Sequence, residues 1–223
     1  MMVGATSWQI RGTYLDNVNL IVKDLDFCEL LVYTWDLPTE ELLIKEMADI
    51  IQKTIISVHL PTDTLDNVKQ AVAFFKAFEC LNLTIHPFED FKGLADFYFD
   101  YSSSSCSNRL SLENLEDNMF NEFTDYLGQD TEKLAITMDY GHLLYTGDST
   151  EAFYNEYASQ ICEIHFHGAN QEKAHIYPDK ASLEGFQRFM TTHDFHEALP
   201  VCVELFHWPE TKQLMKELKT HAG

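Results

Sequence analysis

The sequence predicts a (β/α)8 barrel, with residues 1–223 forming a single domain. Three observations predict it. Eight short apolar, strand-like runs follow one another along the chain. Amphipathic segments with helical spacing separate most of them. The length, 223 residues, falls in the range of roughly 200–250 in which α/β barrels form one domain. An open doubly wound sheet is the competing architecture. It is weakened by the absence of a GxGxxG after a strand and of a GxxxxGK[ST] loop.

The elements can be justified in order. "MVGATSW" opens the barrel, and a short connection about "DNVNLIVKDL" leads to "CELLVYTW". "TEELLIKEMADIIQK" then places apolar residues on one helical face before "IISVHLP", and "TLDNVKQAVAFFKAFECL" does the same before "LNLTIHP". The fourth connection, "FEDFKGLADFYFDYSSSSCSN", has the least regular pattern, and its serine run reads as a loop. "RLSLENL", "LAITMDYGH" and "CEIHFHG" are the next three strands, and "SLEGFQRFMTTHDF" is a helix. "VCVELFHW" and the helix "PETKQLMKELKTH" complete the cycle. Pro38 in "LPTEE" and Pro209 in "WPETK" sit near helix starts, where a fixed φ and a missing N–H are tolerated.

Charge limits the partners. The chain has 36 acidic and 15 basic residues, for a net charge of -21. Such a surface repels phosphate backbones and anionic membranes, so neither nucleic acid nor membrane is an expected partner. An anionic substrate would need local positive charge, which bound cations can supply. The five cysteines are Cys28, Cys80, Cys106, Cys162 and Cys202, an odd number with no CxxC pair. Cys28, Cys162 and Cys202 lie inside strand-like runs, as small buried hydrophobes do. This usage fits a reducing compartment. "MMVGATSWQI" lacks the basic and long apolar regions of a signal peptide, and no run approaches the roughly 18 apolar residues of a membrane span. The expected location is the cytoplasm.

In this fold, side chains that do chemistry gather at the C-terminal ends of the strands. The predicted strand ends carry His59, His86, Glu113, Asp139 with His142, His165 with His167, and Glu204. Each has an ordinary structural role open to it. Glu113 could cap the next helix, Asp139 could form a turn with "YGH", and Glu204 could pair with a lysine. Converging at one mouth, they make a metal constellation instead. Imidazoles and carboxylates without thiolates suit divalent zinc, manganese or iron. Read with a period of two, "CEIHFHG" splits into Cys162, Ile164 and Phe166 on one face and Glu163, His165 and His167 on the other. His165 is therefore expected to bind metal, with the first three residues against the helices. Glu163 should lie in the lumen below it, and His167 at the rim, touching substrate or solvent. Glu29, early in its strand, belongs to the lower barrel. His193, His196 and His221 are expected on the solvated surface, and His207 stays open.

The order His59, His86, Glu113, Asp139, His142, His165, Glu204 resembles that of the endonuclease IV and xylose isomerase-like barrel superfamily, over nearly the whole chain. The resemblance implies one metal on His59, His86 and Glu113. A second would be held by Glu113, Asp139, His165 and Glu204, with Glu113 bridging. A closer resemblance is to the cobamide-remodelling phosphodiesterase branch, in "GATSWQI", "DNV", "CELLVYTWD", "VHLP", "SLENL", "MDYGHLLYTG" and "IHFHG". It implies cleavage of the phosphodiester in the nucleotide loop of a B12-type small molecule, with Glu113 and Glu204 serving the attacking water. A third metal in the superfamily uses His142 and an Asp-x-His element. Here that element reads "KAH": His175 matches, but Lys173 replaces the aspartate. The expectation is therefore two metals, Lys173 as a positive charge beside the leaving group, and His142 and His175 as phosphate donors. Alternatively the "GANQEKAHIY" loop shifts and Glu172 or Asp179 becomes a ligand. Two rival functions remain. One is a sugar isomerase or epimerase that uses Glu113, Asp139, His165 and Glu204 but does not need both His59 and His86. The other is a metal- or corrinoid-binding barrel without catalysis.

Overall fold

The computed structural model describes residues 1–196 and 198–221. The side chain of His221, expected on the surface, lies outside the described part. Among the described residues eight parallel strands close a barrel in sequential order. They are β1 (Met2–Thr6), β2 (Phe27–Leu31), β3 (Ile55–His59), β4 (Leu83–Ile85), β5 (Leu110–Glu113), β6 (Ala135–Asp139), β7 (Ile161–Phe166) and β8 (Pro200–Val203). The helices around them are α1 (Tyr14–Ile21), α2 (Leu37–Ile51), α3 (Leu65–Phe75), α4 (Phe91–Ser102), α5 (Met119–Leu127), α6 (Tyr140–Thr146), α7 (Thr150–Tyr157), α8 (Lys180–Thr192) and α9 (Trp208–His221). No helix among the described residues is long and apolar enough to cross a membrane.

The strand period of two builds this arrangement. Along each strand alternate side chains are apolar and pack outward: Leu30, Val58, Ile85, Leu112 and Ile136 join one hydrophobic cluster, and Met138, Ile164, Phe166 and Val203 another. The intervening residues, among them Thr6, Glu29, Ser57, Thr84, Ser111, Thr137 and Glu163, are buried and polar. They face the lumen, because a β-strand sends successive side chains to opposite faces. Asn82 ties the lower lumen together, with Nδ2 2.6 Å from Ser111 Oγ, 2.9 Å from Glu163 Oε2 and 3.1 Å from Thr137 Oγ1.

The irregular fourth connection holds α4, whose start Asp90 caps by accepting from Gly93 N–H at 2.9 Å. Between β6 and β7 the chain forms two short helices that the sequence pattern does not announce. Gly147, at φ 80, ends the first of them in a left-handed conformation open to glycine.

Two expectations fail here. Ile136 pairs with Ile161 and Thr137 with Glu163, so Cys162 is the extra residue of a bulge in β7. The bulge breaks the period of two and turns Cys162 away from the helices. Its Sγ lies 3.4 Å from the Ile136 carbonyl and 3.8 Å from Asn82 Oδ1. Ile164 and Phe166 do face the helical layer, Phe166 stacking on Phe186 at 3.9 Å. His193 is not a solvated residue: its ring packs 4.0 Å from Tyr154 and its Nε2 lies 2.9 Å from Glu151.

Thr64 caps α3 by accepting from Asn67 N–H at 3.2 Å, and α3 carries Val68, Ala71, Val72 and Phe75 into the core. Thr64→Ala should therefore cost about 1 kcal/mol of stability. Urea unfolding should show a lower midpoint at unchanged slope, and Thr64→Ser should restore most of the loss.

Candidate metal centre

At the C-terminal ends of the strands, three groups of side chains bring ligand atoms within 4.8 Å of one another: His59–His86–Glu113, Glu113–Asp139–His165–Glu204, and His142–His167–His175. Glu113, at the end of β5, belongs to the first two. Its carboxylate is divided between them. Oε2 lies 3.2 Å from His59 Nε2 and 3.0 Å from His86 Nε2, while Oε1 lies 2.8 Å from His165 Nδ1.

In the first group the two imidazole nitrogens are themselves 3.1 Å apart. His59 Nδ1 sits 3.1 Å from the Leu60 carbonyl, which accepts its proton and leaves Nε2 with a lone pair in the neutral ring. Three lone-pair atoms thus form a triangle with edges of 3.0–3.2 Å. A tetrahedral zinc with bonds of about 2.0 Å imposes ligand–ligand edges of about 3.3 Å.

Asp139 has two tasks, one for each oxygen. Oδ1 caps α6, accepting from His142 N–H at 2.7 Å, and the turn suggested by "YGH" is real. Oδ2 is 3.5 Å from His142 Nδ1 and 4.0 Å from His165 Nδ1. Asn114, directly after Glu113, fixes this corner: its Oδ1 accepts from Asp139 N–H at 2.8 Å, and its carbonyl meets His142 Nδ1 at 3.0 Å. Glu204 faces His165 with Oε1 at 3.5 Å and His175 with Oε2 at 3.6 Å. Neither Glu113 nor Glu204 takes the ordinary role open to it; the start of α5 falls to Asn118.

The third group depends on a return of the chain. Gly168 and Ile176 form an antiparallel bridge that folds His175 back over His167, with ring centroids 3.9 Å apart. The turn needs His175 at φ 51, a left-handed conformation rare for a residue with a side chain. Such residues recur at functional sites. Gly141 and Gly168 provide the clearance. A Cβ on the first would run into the His167 ring, and on the second into the backbone of Pro178. All three rings hold Nδ1 near a main-chain carbonyl: His142 to Asn114 at 3.0 Å, His167 to Gly168 at 3.0 Å, His175 to Glu204 at 3.3 Å. For His142 and His175 that tautomer leaves the Nε2 lone pair facing the site, whereas His167 Nδ1 also accepts from the His175 N–H at 3.0 Å, a contact that puts the neutral ring's proton on Nε2, 3.3 Å from Asp139 Oδ1.

The residues fit divalent cations on an observation independent of the grouping. Among the described residues six buried side-chain polar atoms lack a hydrogen-bond partner, and four of them are Glu113 Oε2, Asp139 Oδ2, His142 Nε2 and His167 Nε2. Buried polar atoms are normally satisfied, so a cluster of orphans at one mouth marks a place for a positive charge. Without metal, protons supply it. Burial would lower the His59 imidazole, but hydrogen bonding and charge from Glu113 outweigh it and hold it at about 9. His167 is likewise held at about 9, by Asp139 against burial. Burial opposes ionisation of Glu113, yet the charge and hydrogen bond of His165 keep it well below the usual carboxylate range. Burial and the neighbouring His167 push His175 down to about 4.

The structure thus brings His59, His86, Glu113, Asp139, His142, His165, His175 and Glu204 to one mouth. Two expected residues stand elsewhere. His167 is not at the rim: it is fully buried, its Nε2 3.3 Å from Asp139 Oδ1, because the 168–176 return covers it. Lys173 is exposed, turned outward by a tight turn in which Asn170 Oδ1 accepts from its N–H at 2.9 Å. It does not join the groups at the mouth. Glu172 and Asp179 are also exposed, and Asp179 caps α8. Sequence reading missed Asn114, for which no single-residue signal exists, and Glu29, whose Oε2 lies 3.1 Å from His165 Nε2. Its position early in the strand did place Glu29 in the lower barrel.

No family model matches the chain, and no curated protein matches it by sequence. Solved structures match it by fold. An AP endonuclease of family 2 from Brucella melitensis superposes with a TM-score of 0.63 at 11% identity, covering 99% of each chain. A sugar phosphate isomerase/epimerase from Parabacteroides distasonis gives 0.59 at 12% identity, covering 100% of this chain and 96% of that one. An uncharacterized protein from the same organism gives 0.66 at 13%, covering 99% and 97%. At these identities the shared property is the barrel fold.

Because His59 and His167 sit at about 9, both rings hold protons at neutral pH in the metal-free protein, and a cation must displace them. Metal binding should therefore release protons. Its apparent affinity should tighten as pH rises from about 6 to 9 and weaken on acidification. Chelator competition across that range, with calorimetry in buffers of different ionisation enthalpy, checks the sign.

Proposed function

We propose that the chain is a metal-dependent phosphodiester hydrolase acting on a small molecule, with the nucleotide-loop phosphodiester of a cobamide as its substrate. The observation that carries this reading is the division of Glu113, one oxygen facing His59 and His86 and the other facing His165. A carboxylate so placed would serve two neighbouring cation positions, one through each oxygen. A one-cation isomerase would use Glu113, Asp139, His165 and Glu204 and leave the His59 and His86 lone pairs facing a carboxylate for no purpose. The xylose isomerase-like barrel fold of the structural neighbours supports an enzyme of this broad kind.

Divalent cations in these groups would neutralise the phosphoryl oxygens and make water a nucleophile at neutral pH. The chain's own residues do the rest. Glu113 sets the separation of the two positions. Glu204, between His165 and His175, orients the attacking water. His142, His167 and His175 form the leaving-group side in place of Lys173. Their grouped nitrogens would hold a third cation there, with His167 giving up its proton.

The rim favours a flat organic ligand over a polyol. Trp8, Tyr33 and Phe206 follow the adjacent strands β1, β2 and β8, and all are exposed. Trp8 and Tyr33 lie 5.8 Å apart, and Phe206 lies 5.3 Å from His175. Exposed rings grouped at the mouth of a site offer stacking surface for a conjugated ring. The net charge of -21 disfavours a nucleic-acid polyanion.

Purified protein should cleave a cobamide phosphodiester with added zinc, manganese or iron, and chelation should abolish turnover. Abasic DNA should stay intact at physiological salt, and ketoses should not epimerise. Efficient DNA incision, or epimerisation with inert cobamide, would overturn the reading. Glu113→Gln should weaken metal binding by about 100-fold or more, beyond the roughly 10–100-fold typical of residues that only support a ligand. Metal analysis should find up to three ions per chain, and His167→Gln should remove one.

A further inference from the structure

A fully buried carboxylate lies directly beneath the candidate metal layer, where it meets neither solvent nor substrate. Glu29, in β2, places Oε2 3.1 Å from His165 Nε2 and Oε1 3.5 Å from Cys202 Sγ. The other nitrogen of that ring, Nδ1, is 2.8 Å from Glu113 Oε1 and 3.5 Å from Glu204 Oε1. His165 is thus mounted in reverse. His59, His142 and His175 anchor Nδ1 on main-chain carbonyls, which leaves Nε2 for the site. His165 turns Nδ1 upward to the carboxylates and Nε2 downward to Glu29.

We propose that Glu29 is a positioning residue: it accepts the His165 Nε2–H, which fixes the ring's tautomer and tilt so that the Nδ1 lone pair meets the cation shared by Glu113, Asp139 and Glu204. The inference rests on the metal reading of the mouth. A carboxylate behind a ligating imidazole orients the ring and strengthens it as a donor. Glu29 is suited to this because its own geometry is determined from both sides, by the ring above and by the Cys202 thiol.

The same residues invite a competing reading, since Glu29, Glu163 and His165 also bring ligand atoms within 4.8 Å of one another. A cation there is disfavoured by the hydrogen bonds already present. Glu163 Oε1 accepts from Ser57 at 3.1 Å and Oε2 from Asn82 at 2.9 Å. No atom of Glu29, Glu163 or His165 is among the buried orphans, whereas the mouth above holds four. The lower group is closed and supports; the upper one is open and binds.

The test uses the full chain with zinc as the probe. In zinc-loaded wild type, side-chain 15N spectra should show His165 protonated at Nε2 and metal-bound at Nδ1. Glu29→Gln, of the same volume, should weaken one zinc by about 10–100-fold and leave the others unchanged. A lumen-filling role alone, which glutamine preserves, would leave the affinity of every zinc unaltered. Unchanged affinity for every zinc in Glu29→Gln would overturn the proposal while leaving the metal reading intact. So would wild-type spectra with zinc on Nε2, an outcome that does not depend on the variant folding. Wild type that binds no zinc would overturn both.

Discussion

Glu113 is an ionised carboxylate with no exposed surface, and the mouth of the barrel is organised around keeping it so. Burying such a charge is costly unless opposite charge and hydrogen bonds surround it. Three imidazoles from three strands converge on its two oxygens, His59 from β3, His86 after β4 and His165 from β7. Asp139 and Glu204 then need positive charge as well, and the same imidazoles cannot satisfy all of them. The deficit appears as the orphaned oxygens of Glu113 and Asp139. Protons fill it in the metal-free chain, and cations suit it better.

The barrel makes that concentration of charge tolerable by separating its two faces completely. The outward face of each strand is apolar and sealed by helices. The lumen is mainly polar from Asn82 and Glu163 to the mouth, with Phe27 and Leu31 sharing the face of Glu29 in β2. Burial and the nearby Glu29 charge push Glu163 up to about 8, so at neutral pH it is largely a neutral acid held by Ser57 and Asn82. A polar column whose members satisfy one another is rigid, and a partly satisfied one is costly. Here the lower part is closed by hydrogen bonds and the upper part is left short of donors. The gradient along the lumen is what makes one end a site.

The parts legible in the sequence are those that follow from a fixed period. Alternation in "CEIHFHG" put His165 and Glu163 in the lumen. The rule that chemistry collects at strand ends gathered His59, His86, Glu113, Asp139 and Glu204 before any geometry was known. The features that were not legible each turn on one residue whose conformation is set by distant neighbours. The β7 bulge at Cys162 answers the register of β6, which the β7 sequence alone does not contain. The burial of His167 depends on His175 taking a left-handed turn eight residues later in the chain. Lys173 reads as a replacement for a ligand by its place in "KAH", yet the turn held by Asn170 sends it outward, and His167, just after β7, joins His142 and His175 instead. Glu29 was placed correctly in height, but its partner, 136 residues away in sequence, follows only from barrel closure.

The excess of 36 acidic over 15 basic residues looks at first opposed to an anionic substrate. Distance resolves the conflict. Surface charges act over about a Debye length, about 10 Å at 0.1 M salt, and a polyanion laid across the rim meets many of them at once. A small molecule with one phosphodiester meets mainly what lies at the mouth. There, under the proposed function, a cation held by the imidazoles of His142, His167 and His175 would keep its full charge, and cations held at Glu113 would keep part of theirs. Under the proposed function, the acidic surface and the imidazole-rich mouth therefore act as one selection: repulsion excludes the long polyanion, and local positive charge admits the short one. The selection requires the mouth's charge to come from bound cations, because a basic patch large enough to replace them would also attract nucleic acid.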